Sequence, residues 1–133
     1  MFFLKRFIKI FIYSIFILAI TNSCSSDSID GDLVGEWHLV YTHLGHAGWK
    51  NFSRGQIIYT FKFYGRLDAV INVDIHPYDV PSHGAGSFNY KIVNDKLIIG
   101  SVDTRYDYYF EDSNLIIDGN HAADGPLYRF VKD

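Results

Sequence analysis

Five of the six histidines, His43, His46, His76, His83 and His121, fall within or at the edge of three long polar segments that separate apolar runs. Imidazoles carried by different loops to one rim can ligate a transition ion. His43 and His46 stand three apart. No acidic residue lies beside them at a tight motif spacing, and segments so rich in Gly do not preorganise ligands. They read as polar residues of a wet rim, and no metal is assigned to them. Only His38 lies away from these segments.

Catalytic chemistry has no clear signature. Cys24 is the only thiol. Ser82-His83 and Ser87 put hydroxyls near an imidazole, but no Gly-x-Ser-x-Gly turn or oxyanion hole accompanies them. Asp74 and Asp79 mark a strand end and a loop, not a carboxylate pair. Gly84-Ala85-Gly86 has no following helix to cradle phosphate and reads as a bend or bulge. The expectation is a protein that is not an enzyme and carries no cofactor.

Aromatic residues offer binding instead. Trp49 and Phe52 lie in the first long segment among Gly45, Gly48 and Gly55. With Tyr78 they can form a rim for an apolar or sugar-like ligand, or Trp49 and Phe52 can plug the core. Tyr41, Tyr59 and Tyr108 lie on the strand faces that read as inward, and a buried hydroxyl needs a partner. Water or the polar end of a ligand can supply it. Trp49, Phe52, Tyr78, Tyr41, Tyr59 and Tyr108 form the candidate ligand-binding set.

The elements that would position these residues are strands. From Leu33 onward the hydrophobic period is two rather than 3.6. The clearest run is Leu67, Ala69, Ile71, Val73, Ile75. The same alternation runs through Ile57, Tyr59, Phe61, Phe63, through Phe88, Tyr90, Ile92, and through Tyr106, Tyr108, Phe110. Shorter runs cover 96–102 and 115–118. The first strand spans 34–43 with Trp37, Leu39 and Tyr41 on one face, and the last spans 127–131. Eight strands result. Tight turns at Tyr64-Gly65, Asn94-Asp95 and 111–114 nearly alternate with long connections at 44–55, 76–85 and 119–126. A fourth connection near Asp103-Thr104 is short. In an up-and-down meander, long and tight connections then gather at opposite ends. The expected fold is an all-β, eight-stranded antiparallel up-and-down barrel with one decorated mouth. Ten inward rings (Trp37, Tyr41, Tyr59, Phe61, Phe63, Phe88, Tyr90, Tyr106, Tyr108 and Phe110) predict a mostly filled interior with a shallow cup at the mouth.

Residues 1–23 have the build of a helical signal segment. Lys5, Arg6 and Lys9 precede the apolar stretch 10–20, too short to span a bilayer but long enough for a signal core. Thr21-Asn22-Ser23-Cys24 resembles the lipobox of bacterial lipoproteins. That resemblance implies cleavage before Cys24, its lipidation (palmitate), and anchorage to a membrane of the bacterial cell envelope, the outer membrane first. Residues 24–32 then form a polar tether and 33–133 the barrel domain. Loss of the three leader cations leaves nine basic against fifteen acidic side chains, a net charge of −6. That balance excludes a nucleic-acid partner.

Gly35-Glu36-Trp37 at the head of the first strand resembles the Gly-x-Trp of lipocalins. Together with 33–40, 59–65, 88–92 and 127–132, it makes the chain similar to the lipocalin-like domains of small bacterial lipoproteins. The resemblance implies a calycin-like barrel whose first long loop covers the open end. It also implies a closure in which a basic residue near the last strand packs over the Trp by a cation–π contact. Gly35, Trp37 and Arg129 make that closure, with Lys132 as the alternative cation. The expected partner is a small apolar or amphipathic ligand. The alternative is an envelope protein docked on a filled, non-enzymatic barrel.

Overall fold

A computed structural model describes residues 30–133. The signal segment and Cys24 lie outside them, as does the tether before Asp30. Nine strands follow in order: β1 (Gly35–His43), β2 (Trp49–Asn51), β3 (Ile57–Lys62), β4 (Arg66–Ile71), β5 (Gly86–Val93), β6 (Lys96–Ile99), β7 (Asp107–Glu111), β8 (Asn114–Asp118) and β9 (Leu127–Lys132). Eight of them form one antiparallel path, β6-β5-β4-β3-β1-β9-β8-β7, while β2 pairs only with β1. A single bridge, Leu97 to Tyr106, joins the two ends of the path. The fold is the nearly closed up-and-down barrel that the alternation and the lipocalin-like resemblance lead one to expect.

Alternation places the core. Leu67 and Ala69 of β4, Ile57, Tyr59 and Phe61 of β3, Leu115 and Ile117 of β8, and Tyr128 and Phe130 of β9 are all buried. The interior is filled by side chains, one of the two outcomes that eight strands allow. The tight turns use left-handed backbone. Asn94-Asp95 and Asp112-Ser113 both have positive φ at their two central residues. That geometry matches the twist of a hairpin.

Five of the ten expected inward rings, Trp37, Tyr59, Phe61, Tyr90 and Tyr106, are fully in the core. The rest depart for local reasons. The register of β1 against β9 shifts between Leu39 and Tyr41, a β-bulge. One extra residue reverses the inward face, so Thr42 is buried and Tyr41 turns outward. Phe63 follows the end of β3, in the turn, and is 71% exposed. Phe110 is exposed although its ring lies 5.8 Å from Trp37. Phe88 and Tyr108 are only partly buried. The β4 alternation also ends at Ile71, and Val73 and Ile75 pack on the core from an irregular segment.

Lys132, not Arg129, lies over the Trp37 ring, 5.0 Å from its centroid. Arg129 faces outward and lies 5.5 Å over Tyr41. The alternation of β9 explains both, because Tyr128 and Phe130 take the inner face. The closed end is fastened further by the Trp37 Nε1–H donating to the Leu33 carbonyl at 2.8 Å. The Tyr108 hydroxyl donates to Asp30 at 2.9 Å. Asp30, expected in the tether, is thus bonded to the barrel.

Candidate functional site

The long connections do share one end, and they close over it. The segment 72–85 between β4 and β5 dips into the barrel, where Asp79, Val80, Pro81 and Ser82 are all buried. Three inward tyrosines hold it. Tyr106 Oη–H donates to the Pro81 carbonyl at 3.0 Å and Tyr128 Oη–H to the Tyr78 carbonyl at 2.9 Å. Tyr59 shares its hydroxyl with Ser82 Oγ and accepts from the Ser82 amide at 3.0 Å. The hydroxyl partners that buried tyrosines need come from this plug. Burial favours the neutral phenols. It pushes Tyr106 up to about 12 and raises Tyr59 and Tyr128 as well.

A cup of about 460 Å³ remains above the plug. Its wall draws on all three long connections. Leu44 caps a short 3-10 turn, Gly45–Ala47, that ends at Ala47. Lys50 comes from β2. His76 caps a second 3-10 turn, Pro77–Asp79, that contains Tyr78 and Asp79. Asp124 and Pro126 come from the connection before β9. Two contacts fix how the walls meet. Thr42 Oγ1–H donates to the Asp79 carbonyl at 2.9 Å. A Cβ on Gly45, whose φ is +59°, would stand 2.4 Å from the Asp124 carbonyl oxygen, so only glycine lets these loops touch.

Asp79 is the polar centre of the cup. It is 1% exposed, and its Oδ2 accepts from Lys50 Nζ at 2.7 Å and from the His76 amide at 2.9 Å. Its Oδ1 is buried with no partner among the described residues. Pro77 sets φ in the first turn, while His76 and Asp79 cap each other's amides. Tyr78 stands exposed at the rim, stacked on His76 at 5.4 Å and edge-on to His83 at 5.2 Å.

Of the candidate ligand-binding residues, only Tyr78 lines this cup. Trp49 is 63% exposed, because its segment forms β2 alongside β1 rather than a lid. Phe52 packs partly buried on the core. Tyr59 is committed to Ser82, Tyr41 points outward, and Tyr108 sits at the opposite end. The plug of the mouth is therefore Asp79 to Ser82 and not Trp49 with Phe52. The sequence reading missed Lys50 and the role of Asp79. His76-Pro77-Tyr78-Asp79 has the spacing of a capped turn, the signal by which Asp79 was recognisable.

The loop histidines pair off. His43 and His121 meet edge-on at 4.7 Å, and His46 Nε2 lies 3.0 Å from Asp124. They form no group of three ligating atoms among the described residues. The chain matches no protein-family model and no curated protein.

Proposed function

We propose that the protein is a lipid-anchored binding protein of the bacterial cell envelope whose loop-end cup takes a small amphipathic ligand. The observation that carries this reading is the cup itself. About 460 Å³ is within the range of small-ligand sites. Leu44, Ala47, Pro126 and the Tyr78 ring offer an apolar wall, and Lys50 with Asp79 offers one polar anchor. The reading keeps the ligand at the open end, with Tyr78 the one residue of the expected set in the wall of the cup. The role is binding rather than catalysis. In support, Ser82 Oγ is occupied by Tyr59 and by the Gly84 carbonyl, and no imidazole or carboxylate is bonded to it among the described residues. Cys24 carries the anchor in this reading, and the outer membrane is its proposed location.

Native mass spectrometry of the detergent-extracted full protein, purified from its own host without refolding, tests both parts. A stoichiometric adduct released by denaturation, and weakened when Lys50 is changed to Met, is the expected result. The denatured chain is expected to begin at Cys24 and to carry acyl mass. A bare chain mass counts against the ligand, and a chain retaining residues 1–23 counts against the anchor.

A second reading has its own observation. Phe63 and Tyr64 project from the β3–β4 turn at the closed end, 71% and 73% exposed. A protein partner in the envelope docking on that end would cover them. Phe63→Ser with Tyr64→Ser would then abolish co-purification while leaving ligand adducts intact.

A further inference from the structure

We infer that Glu36, His38 and Asp133 form a binding site for a divalent transition ion of the zinc type on the outer wall near the closed end. His38 is an outward residue of β1, next to the inward Trp37 and Leu39, yet it is 6% exposed. Its Nε2 faces two carboxylates, Glu36 Oε1 at 3.1 Å and Asp133 Oδ1 at 3.4 Å. One atom from each of the three side chains lies within 4.8 Å of the others. Backbone pairing fixes the approach. The Asp133 amide donates to the Glu36 carbonyl at 3.3 Å, and Val131 lies opposite His38 in the register.

The geometry is that of a ligand set. Donors held about 2.0–2.2 Å from a tetrahedral zinc stand roughly 3.3–3.5 Å apart, close to the two separations seen here. A single Nε2–H can be donated well to only one carboxylate, so the second carboxylate receives no N–H from His38. A dication balances both. One imidazole and two carboxylates favour zinc over magnesium or calcium, which require six or more oxygen donors. Water would complete the shell on the exposed side of Glu36 and Asp133.

His38 Nδ1 sets the strength. It is buried without a hydrogen-bond partner among the described residues. A metal-bound imidazole holds its proton there, and the lack of a supporting acceptor costs about 10–100-fold in affinity. Binding about 10–100-fold weaker than at a fully supported site is therefore expected.

The test is a zinc titration of the untagged, chelator-stripped full protein in detergent against a chromophoric chelator. One zinc per chain is expected, with excess magnesium failing to compete. Glu36→Gln combined with Asp133→Asn should weaken binding at least about 30-fold. Both carboxylates are exposed, so the barrel should keep its circular dichroism. His43→Asn with His46→Asn and His121→Asn removes three of the five loop-end imidazoles and should leave zinc affinity within about twofold. Three results would overturn the site: no zinc bound at tens of micromolar, unchanged binding in the carboxylate variant, or loss of binding in the loop-end variant.

Discussion

Three tyrosine hydroxyls fasten the plug, and their chemistry predicts how the barrel fails in alkali. Tyr106 is pushed from 10.0 up to about 12 by burial. Below pH 10 both folded and unfolded chains hold the phenolic proton, and stability is unaffected. Above it the unfolded chain releases protons that the fold retains, so stability falls as pH rises from about 10 to about 12. Each such tyrosine contributes up to about 1.4 kcal/mol per pH unit. Tyrosinate absorbance should therefore show exposed residues titrating near pH 10 and the buried three appearing only with cooperative unfolding. Tyr106→Phe should cost about 1 kcal/mol at neutral pH through its lost bond to Pro81, and should flatten the alkaline slope. Lys50→Met acts at the other polar contact. It strips the only side-chain counter-charge within bonding distance of Asp79 among the described residues, and Asp79 is buried. Breaking a buried pair costs about 3–5 kcal/mol, and the half-exposed Lys50 lowers that to about 2–3 kcal/mol. A shifted urea midpoint at unchanged slope would show it.

At the scale of elements, Asp112-Ser113 offers a direct test of turn chemistry. Ser113 holds φ +65° without being glycine. Ser113→Gly creates the Asp-Gly pair that a two-residue hairpin favours; relief of the left-handed backbone, about 1–2 kcal/mol, exceeds the entropic cost of a new glycine, about 0.4–1 kcal/mol, so the barrel should gain up to about 1 kcal/mol. A lower melting temperature would contradict the assigned turn. The strands themselves were legible because a half-buried strand writes its face at every second residue. Leu67, Ala69 and Ile71, or Tyr128 and Phe130 once the face is known, show this. The bulge near Val40 was not legible. Its cause is the ladder between β1 and β9, ninety residues apart in sequence, and its effect on Tyr41 and Thr42 leaves no local mark. β2 escaped for a similar reason. Three exposed residues carry no alternation, and only pairing with Tyr41 to His43 makes them a strand. The cup followed from these misses. Its residues come from loops, whose relative positions depend on the tyrosine bonds to the plug and on the bare backbone of Gly45.

The whole molecule has one weak line. Every neighbouring pair along the barrel path shares a ladder of at least four residue pairs, whereas β6 and β7 meet only at Leu97 and Tyr106. Two backbone bonds at 2.8 and 2.9 Å and the surface pair Lys96–Asp107 hold this seam. Exposed ion pairs add little, so opening there breaks few bonds and costs less than global unfolding. The seam also bears on the mouth. Tyr106 is both a seam residue and a plug donor, and on opening it carries its bond to Pro81 with it. Hydrogen exchange should thus find the amides of Leu97 and Tyr106 less protected than those of Leu39 and Phe130, with 80–83 exchanging alongside the seam. A ligand in the cup rests on Tyr78 and Asp79 at the far side of the same plug. Its binding should slow exchange at 80–83 and at the seam together, while leaving β1 and β9 unchanged. Equal protection of β6, β7 and β1 in the free protein would show a fully closed barrel and remove this route between cup and seam.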